Sequence, residues 1–424
     1  MMVATAMVRY FIKTFGCKVN QAESADLHTE LLSIGAQRVS SLETADVVIL
    51  NGCTVTGEAD RKVRKELRRC AQLPHVASLI ITGCSAVLRK DELEKLDTKI
   101  KVLAEKQEIP PYLQQFSINT SFVPSPETVE DERIRIPLKI QDGCECFCSY
   151  CIVPFARGAS ESVKADEIIT RVQKHVDGGT KEIILTGINL GNYRDAGTGK
   201  NSGTKNLSAL IRLIQEETDL HRLRLSSIEP LHVSDDLLEL LAEGSLLCEH
   251  LHIPLQSGSD YVLGEMNRNY SVDEYLKIVE KIRKANPLTA ITTDIIVGFP
   301  SEGDDDFGQT MELVKEVEFA KIHVFRYSSR EGTAAAKLKP LDPRLVKERA
   351  QRLQKQADLD ALRYLNSRKG SRLELIIEGV EGIDEDSKTI TGTSREYLRL
   401  ELLADIHKSD GELLKPGDII HAVL

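Results

Sequence analysis

Short apolar runs alternate with amphipathic segments along the first three quarters of the chain. Between residues 9 and 115, three apolar runs each end in Gly-Cys: RYFIKTFGC, VVILNGC and SLIITGC. Apolar positions at helical spacing follow these runs at about Gln21–Ile34, Glu58–Ala71 and Asp91–Leu96. Strands that alternate with helices in this way predict a parallel sheet with helices on its faces.

The same alternation returns between residue 134 and about residue 330. Six apolar runs predict strands: IRIPLKI, EIILTGI, RLRLSSI, HLHIPL, ITTDIIVGF and AKIHVFRYS. Amphipathic segments that predict helices lie near residues 163–177, 207–217, 235–243, 273–284 and 304–317. Six such β/α units fit a partial barrel of the TIM type. Residues 344–366 then predict one long basic helix.

The remaining segments complete the predicted domain organisation. Residues 117–133 are polar, contain two prolines and lack apolar periodicity, which predicts a linker. The tail has short apolar runs spaced by Gly, Asp and Ser, which predict a small β-barrel. The expected α/β architecture is therefore an open parallel α/β domain at 1–116, the linker at 117–133, a partial (β/α)6 barrel with its basic helix at 134–366, and a small β-barrel at 367–424.

Composition narrows the class of protein. The 424 residues are enough for two or three domains, and the net charge is −10. No apolar run approaches the roughly 18 residues of a membrane span, and the N-terminus does not read as a signal peptide. We therefore expect a cytoplasmic protein without a membrane partner. In that reducing compartment the nine cysteines favour metal binding or catalysis over disulfides.

The strongest chemical signal is the segment DGCECFCSYC. It spaces Cys144, Cys148 and Cys151 as C-x3-C-x2-C directly after the first predicted barrel strand. Three thiolates in one loop can ligate three irons of a [4Fe–4S] cluster and leave the fourth iron open for another ligand. Two alternatives remain: a zinc site that also uses Cys146, and a redox pair formed by Cys148 and Cys151.

A second set comprises Cys17, Cys53 and Cys84. Each follows a glycine and ends an apolar strand. About one β/α unit separates each cysteine from the next. Parallel strands connected in this way place their carboxyl ends side by side, so the three thiols are expected to converge. The alternative is that they are core cysteines. The remaining two cysteines, Cys70 and Cys248, are expected to be packing residues.

The chain contains the distinctive phrases FGCKVNQAES, CSYCIVPFARG, LTGINLG, SSIEP, HIPLQSGSD, TDIIVGFP and FRYSSREGT. With them it resembles the radical S-adenosylmethionine methylthiotransferases over nearly its whole length, and their MtaB branch most. The resemblance implies a TRAM-like tail and an enzyme that uses S-adenosylmethionine and two [4Fe–4S] clusters. The first cysteine set would hold the cluster that makes the radical, and the second set would hold the cluster that delivers sulfur.

The resemblance also implies a substrate. It is N6-threonylcarbamoyladenosine next to the tRNA anticodon, methylthiolated at C2. We also expect an electron donor such as a flavodoxin-type reductant. Alternatives within the family are isopentenyladenosine of tRNA and an aspartate of a ribosomal protein. A non-catalytic iron–sulfur protein for RNA binding or electron transfer is the alternative of another class. It is disfavoured because each cysteine set supplies three ligands, whereas an electron-transfer cluster normally has four.

Polar residues near the ends of the predicted barrel strands are weaker site candidates. A carboxylate, amide, hydroxyl or guanidinium at such a position can contact S-adenosylmethionine. The alternative for each residue is a structural role, such as a salt bridge within the fold. The candidates are Glu229, Gln256, Ser257, Arg268, Asp294 and Arg326.

The charge distribution indicates where tRNA binds. The tail, 367–424, holds twelve acidic and eight basic residues, which fits RNA binding poorly. Residues 321–372, by contrast, hold fourteen Lys and Arg against five Asp and Glu. Since phosphate contacts supply much of the affinity for nucleic acid, we expect the basic helix to bind tRNA. The candidate phosphate-binding residues are Arg344, Lys347, Arg349, Arg352 and Lys355.

Overall fold

The structure is a computed structural model, and it describes residues 8–116, 134–195, 205–244, 246–382, 387–405 and 413–424. The predicted linker at 117–133 lies outside these ranges. No helix within them is long and apolar enough to cross a membrane.

The N-terminal part is a five-stranded parallel sheet with strand order β2-β1-β3-β4-β5. Every residue of β3 and β4, two of the three inner strands, is buried, which explains their continuous apolar runs. One helix differs from expectation: α3 begins at Cys84 itself, because Gly83 at φ +78° turns the chain directly from strand into helix. The elements are β1 (Arg9–Thr14), α1 (Lys18–Ser33), β2 (Gln37–Arg38), β3 (Val47–Gly52), α2 (Gly57–Ala71), β4 (Ser78–Gly83), α3 (Cys84–Glu94), β5 (Ile100–Val102) and α4 (Ile109–Leu113).

The central part has six parallel strands in two groups of three, ordered β6-β9-β10 and β11-β12-β13. Parallel bridges between Leu223 and Leu247 and between Ser227 and His252 join the two groups. The elements are β6 (Arg135–Lys139), β7 (Gln141–Asp142), α5 (Val153–Arg157), β8 (Glu161–Ser162), α6 (Ala165–Asp177), β9 (Glu182–Thr186), α7 (Leu207–Glu217), β10 (Arg222–Leu225), α8 (Asp235–Ala242), β11 (His250–His252), α9 (Asp260–Glu265), α10 (Val272–Ala285), β12 (Ala290–Val297), α11 (Asp304–Val317), β13 (Lys321–Arg326) and α12 (Pro343–Ser367).

The tail is an antiparallel sheet with strand order β16-β15-β14-β17. Within the described part of the tail, β16 and β17 are the two edges of this sheet, and the small all-β unit that we expected is an antiparallel sheet. The elements are β14 (Arg372–Gly382), β15 (Ser387–Ser394), β16 (Arg399–Asp405) and β17 (Ile419–Val423).

The tail packs against the amino-terminal ends of barrel strands through buried charges. Glu182 accepts hydrogen bonds from Arg222 (2.6 Å) and Arg224 (2.8 Å), and all three side chains are almost fully buried. The two guanidinium groups also donate to the carbonyl oxygens of Thr393 and Ser394 in the tail. The tail therefore closes this end of the barrel and satisfies charges that would otherwise be buried without partners.

The N-terminal sheet packs against the barrel through polar contacts. Lys139 of β6 pairs with Glu23 of α1 at 3.0 Å, and Arg330 pairs with the buried Asp60 of α2 at 2.7 Å. The predicted fold class is confirmed: a parallel N-terminal sheet, a partial barrel and a C-terminal antiparallel sheet.

Candidate active site

Three cysteines lie at the carboxyl ends of neighbouring strands in the N-terminal sheet. Because β1, β3 and β4 are adjacent and parallel, the residues that follow them meet at one edge of the sheet. Cys17 precedes α1, Cys53 follows β3, and Cys84 is the first residue of α3. Cys17 is exposed, whereas Cys53 and Cys84 are buried.

Glycine permits the close approach of these segments. Gly16 has a φ of +100°, and a Cβ placed on it would lie 2.8 Å from the Sγ of Cys53. A side chain at this position would therefore occupy the space directly beside the thiol. The need for glycine at this turn explains one of the three Gly-Cys pairs on physical grounds.

Burial dominates the pKa values of the two buried thiols, Cys53 and Cys84. Burial, with smaller contributions from the nearby Cys84 and Cys17, raises the pKa of the Cys53 thiol to about 11. Burial also raises the pKa of Cys84, against the lowering effect of the Arg157 guanidinium. These two thiols are therefore protonated at neutral pH, and metal binding would release their protons.

The first cysteine set, Cys144, Cys148 and Cys151, lies in the segment between β7 and α5. The Sγ of Cys148 accepts a hydrogen bond from Arg268 at 3.2 Å, and the backbone N–H of Cys151 donates to the carbonyl of Cys148. Burial raises the pKa of Cys148, although Arg268 opposes it, and raises the pKa of Cys151 to about 12. Cys144 begins the segment, so all three predicted thiols share one loop.

Cys146 contacts its neighbours in this loop. Its backbone N–H lies 3.5 Å from the Sγ of Cys144, and the Nδ2 of Asn189 donates to the Sγ of Cys146 at 3.4 Å. Hydrogen bonding from Cys146 lowers the pKa of Cys144 to about 6, and the same interaction raises the pKa of Cys146. Cys146 therefore supports the charged form of Cys144.

A cavity of about 400 Å³ opens beside this loop. Glu229 and Arg268, two of the predicted S-adenosylmethionine-binding residues, form an ion pair on its wall. Cys148 lines the same cavity, so a charged pair and a thiol of the first set face one space. The other lining residues are Glu145, Cys146, Asn192, Leu231, His232, Asn267, Asn269 and Tyr270.

The spacing of the thiols tests which metal group they suit. Four thiolates around one zinc ion lie about 3.8 Å apart, because each Zn–S bond is about 2.3 Å. Among the described residues, the one trio of His, Cys, Asp or Glu ligand atoms within 4.8 Å of one another is His252, Asp294 and His323. Neither cysteine set is as compact as a zinc site requires. The soft thiol donors suit an iron–sulfur cluster.

The other predicted S-adenosylmethionine-binding residues do not line this cavity. Ser257 is buried and lies within 3.5 Å of the Thr310 hydroxyl. Asp294 pairs with His252 at 3.2 Å, and the backbone N–H of Gln256 donates to the carbonyl of Asp294. Arg326 lies in a different groove, which the start of α2 also lines.

The predicted phosphate-binding residues divide into two groups. Arg344, Lys347, Arg352 and Lys355 are exposed on α12. Arg349 is buried and pairs with Glu302 and Asp304, with 2.6 Å between its Nη2 and the Asp304 carboxylate. Its guanidinium is therefore committed to these carboxylates and cannot also contact an RNA phosphate in this conformation.

Two residues of the site were not predicted individually. Arg157 reaches the Sγ of Cys84, and Asn189 reaches the Sγ of Cys146. Both lie inside distinctive phrases of the sequence, CSYCIVPFARG and LTGINLG. The phrases marked the right segments, but only the fold shows which side chains of each phrase face the thiols.

Comparison with known proteins identifies the class. A family model described as the Radical SAM superfamily matches residues 138–314, and one described as Uncharacterized protein family UPF0004 matches residues 9–105. The fold is similar to that of the radical S-adenosylmethionine methyltransferase TsrM from Kitasatospora setae. The TM-score is 0.54 at 13% identity, over 78% of this chain and 74% of the other. The protein is a radical S-adenosylmethionine enzyme.

Two curated relatives identify the family. The chain is 37% identical to a threonylcarbamoyladenosine tRNA methylthiotransferase MtaB from Thermotoga maritima, over 87% of this chain and 86% of the relative. It is 32% identical to a tRNA-2-methylthio-N(6)-dimethylallyladenosine synthase from Endomicrobium trichonymphae, over 97% of this chain and 100% of the relative. The chain belongs to the tRNA methylthiotransferase family, whose members use S-adenosylmethionine and a [4Fe–4S] cluster.

Proposed function

We propose that this enzyme transfers a methylthio group to C2 of N6-threonylcarbamoyladenosine next to the tRNA anticodon, and that it uses two [4Fe–4S] clusters. The observation that carries the two-cluster proposal is the presence of two separate three-thiol sets, each with an arginine that donates to one thiol. The ligands would be Cys144, Cys148 and Cys151 for one cluster, and Cys17, Cys53 and Cys84 for the other.

The polarity of the barrel interior supports the choice of substrate. The side chains of His252, Asp294 and His323 lie together on β11, β12 and β13, with their ligand atoms within 4.8 Å of one another. A threonylcarbamoyl group carries carbonyl, hydroxyl and carboxylate groups that such side chains can bind, whereas a dimethylallyl group is apolar and offers them no polar partner. This favours the substrate named for the relative from Thermotoga maritima.

The geometry supports a division of tasks between the cofactors and the protein. When bound, the two clusters and S-adenosylmethionine supply the radical, the sulfur and the methyl group. Glu229 and Arg268 provide complementary charges for the amino and carboxylate groups of S-adenosylmethionine beside Cys148. Residues of the barrel mouth hold the adenine, which must be splayed out of the anticodon stack to reach them. A flavodoxin-type protein supplies the electrons.

Iron analysis of the reconstituted protein tests the two clusters. Two four-iron clusters correspond to about eight irons per chain, and replacing Cys144, Cys148 and Cys151 together by Ala should leave about four. That variant should also lose cleavage of S-adenosylmethionine. Replacing Cys17, Cys53 and Cys84 by Ala should preserve cleavage but abolish methylthiolation. Cys70→Ala is the matched control and should behave as wild type, since Cys70 is a buried cysteine of the N-terminal core.

Nucleoside mass spectrometry tests the substrate. A deletion strain should lose 2-methylthio-N6-threonylcarbamoyladenosine from its tRNA, and the purified enzyme should restore it. If the strain instead loses the dimethylallyl product, the substrate assignment is wrong although the chemistry stands. Four irons in the wild-type protein would refute the second cluster.

A further inference from the structure

Arg157 lies between the two cysteine sets. It is the last residue of α5 and follows Cys151 by six positions, so it belongs to the barrel part of the chain. Its side chain extends to the N-terminal sheet and is 6% exposed. A guanidinium carries five N–H donors in a fixed planar arrangement, so one buried arginine can bind several acceptors at once.

Each of the three nitrogens of this guanidinium donates a hydrogen bond to a different partner. The Nε donates to the Sγ of Cys84 at 3.3 Å, and the Nη2 donates to the Oδ1 of Asn20 at 2.6 Å. The Nη1 donates to Glu23 at 2.8 Å and to Asp142 at 3.0 Å.

These partners connect to both cysteine sets. Asp142 accepts a hydrogen bond from the backbone N–H of Gly143, immediately before Cys144. Asn20 donates to the carbonyl of Phe15, in the turn that leads to Cys17. The network therefore extends from the turn before Cys17 to the residue before Cys144, with the arginine at its centre.

The arginine keeps its charge in this buried position. A guanidinium is not deprotonated in proteins, and the carboxylates of Glu23 and Asp142 stabilise its charge here at 2.8 and 3.0 Å. A permanent cation therefore faces the Sγ of Cys84. A donor or cation beside a cluster sulfur stabilises the more negative, reduced state and raises the reduction potential of the cluster.

We propose that Arg157 is a positioning residue that sets the reduction potential at the Cys17, Cys53 and Cys84 site and fixes this site relative to the barrel loop. The proposal rests on the proposed role of Cys84 as a cluster ligand. The Nε, which donates to the Sγ of Cys84, would raise the reduction potential of the cluster. The two Nη groups, which donate to Asn20, Glu23 and Asp142, would hold the two sites at a fixed distance.

Two substitutions and one control test the proposal. Arg157→Met removes all five donors, whereas Arg157→Lys keeps the charge but not the planar arrangement. Arg171→Met is the matched control, because Arg171 pairs with Asp26 across the same junction and contacts no cysteine. The reduction potentials of the two clusters are measured by redox titration with electron paramagnetic resonance. Methylthio product is measured against 5′-deoxyadenosine in the same preparations.

The expected result is specific to one cluster. In Arg157→Met the potential at the Cys17, Cys53 and Cys84 site becomes more negative, with a smaller shift in Arg157→Lys, and the Cys144, Cys148 and Cys151 site is unchanged. The yield of methylthio product per 5′-deoxyadenosine falls several-fold in Arg157→Met and not in Arg171→Met.

Other outcomes separate the two proposals. If Arg157→Met folds, holds eight irons and keeps the wild-type potential and yield, the role proposed for Arg157 is overturned and the proposed function stands. If Arg157→Met does not fold, an Arg157→Lys protein with wild-type potential and yield has the same consequence. If the wild-type protein lacks the cluster at Cys17, Cys53 and Cys84, the two-cluster part of the proposed function is refuted, and the role of Arg157 is refuted with it.

Discussion

Arg268 joins the Sγ of Cys148 to the carboxylate of Glu229, although Glu229 and Arg268 are 39 residues apart in sequence. The guanidinium donates to both groups from one wall of the cavity. Two oppositely charged side chains beside a thiol form a site that suits a zwitterionic ligand, because its amine and its carboxylate each find a partner. The amino acid part of S-adenosylmethionine is such a zwitterion.

We expect Glu229→Gln to weaken the binding of S-adenosylmethionine roughly 10- to 100-fold, or about 1.4 to 2.7 kcal/mol. The substitution keeps the shape of the side chain but removes the charge that attracts the amine. Equilibrium dialysis with reconstituted protein measures the affinity, and iron content should not change. Arg212→Met is the control, since Arg212 forms exposed ion pairs with Glu239 and Glu243. Wild-type affinity in Glu229→Gln would exclude this carboxylate from the binding site.

We expect Cys146→Ser to retain full iron content and cleavage of S-adenosylmethionine. Serine is nearly the same size and keeps a hydroxyl where the Cys146 thiol supports Cys144. A fourth thiolate ligand, by contrast, would occupy the iron that must bind S-adenosylmethionine. Iron analysis and 5′-deoxyadenosine formation measure the outcome. If Cys146→Ser loses iron and the control Cys70→Ala does not, Cys146 is a cluster ligand and the prediction is wrong.

We expect the exposed cations of α12 to govern the salt dependence of tRNA binding. Replacing Lys347, Arg352 and Lys355 together by Ala should weaken binding and flatten the log–log salt slope by about 0.7 to 0.9 per lost contact. Binding is measured by fluorescence anisotropy at several salt concentrations. An unchanged slope would place the phosphate contacts elsewhere.

Arg349→Ala should have a different effect from the triple substitution. It leaves the buried carboxylate of Glu302 without its cation, so the free energy of unfolding should fall by about 3 to 5 kcal/mol. Denaturation in urea measures this loss. Equal stability of Arg349→Ala and wild type would mean that the pair with Glu302 contributes nothing to the fold.

We expect Glu182 to make stability depend on pH. Burial alone would raise its pKa, but the charges of Arg224 and Arg222 outweigh burial and lower the pKa from 4.5 to about 2. Because the folded-state pKa is below the unfolded value, the carboxylate stabilises the fold fully above about pH 4.5. Its contribution is then lost as the pH falls towards 2.

The matched measurement compares Glu182→Gln with Glu217→Gln, which changes an exposed residue at the end of α7. At pH 7, Glu182→Gln should lower the free energy of unfolding by about 3 to 5 kcal/mol, because two buried guanidinium groups lose their partner. The difference from wild type should shrink below pH 4.5. A pH-independent difference would contradict the lowered pKa.

Apolar periodicity predicted the helices well where one face of the helix packs on a sheet. The expected segments 207–217 and 304–317 coincide with α7 and α11. Buried leucines and isoleucines recur at helical spacing on α7, as do Phe307, Val314 and Val317 on α11. The start of α3 was predicted too late because a helix that begins directly at a strand end has no polar turn to mark it.

Side-chain partners distant in sequence could not be predicted. In α12 the basic residues look alike, yet Arg349 alone among the five candidates shares a buried face with Leu353 and Ala357, four and eight positions later. That spacing was a signal, but the carboxylate of Glu302 that pairs with Arg349 is fixed only by the fold. The pairing of Arg157 with Cys84 is hidden for the same reason.

The tail that closes the barrel also limits how these enzymes can be recombined. Tyr397 lies against Arg224 and His250 inside the barrel end, and Arg395 pairs with Glu249. A chimera that takes residues 368–424 from a relative would place different side chains against Arg224, His250 and Glu249 of the barrel, whose present partners are Tyr397 and Arg395. The barrel and tail should therefore be exchanged as one unit, with crossover points placed before β6 rather than after α12.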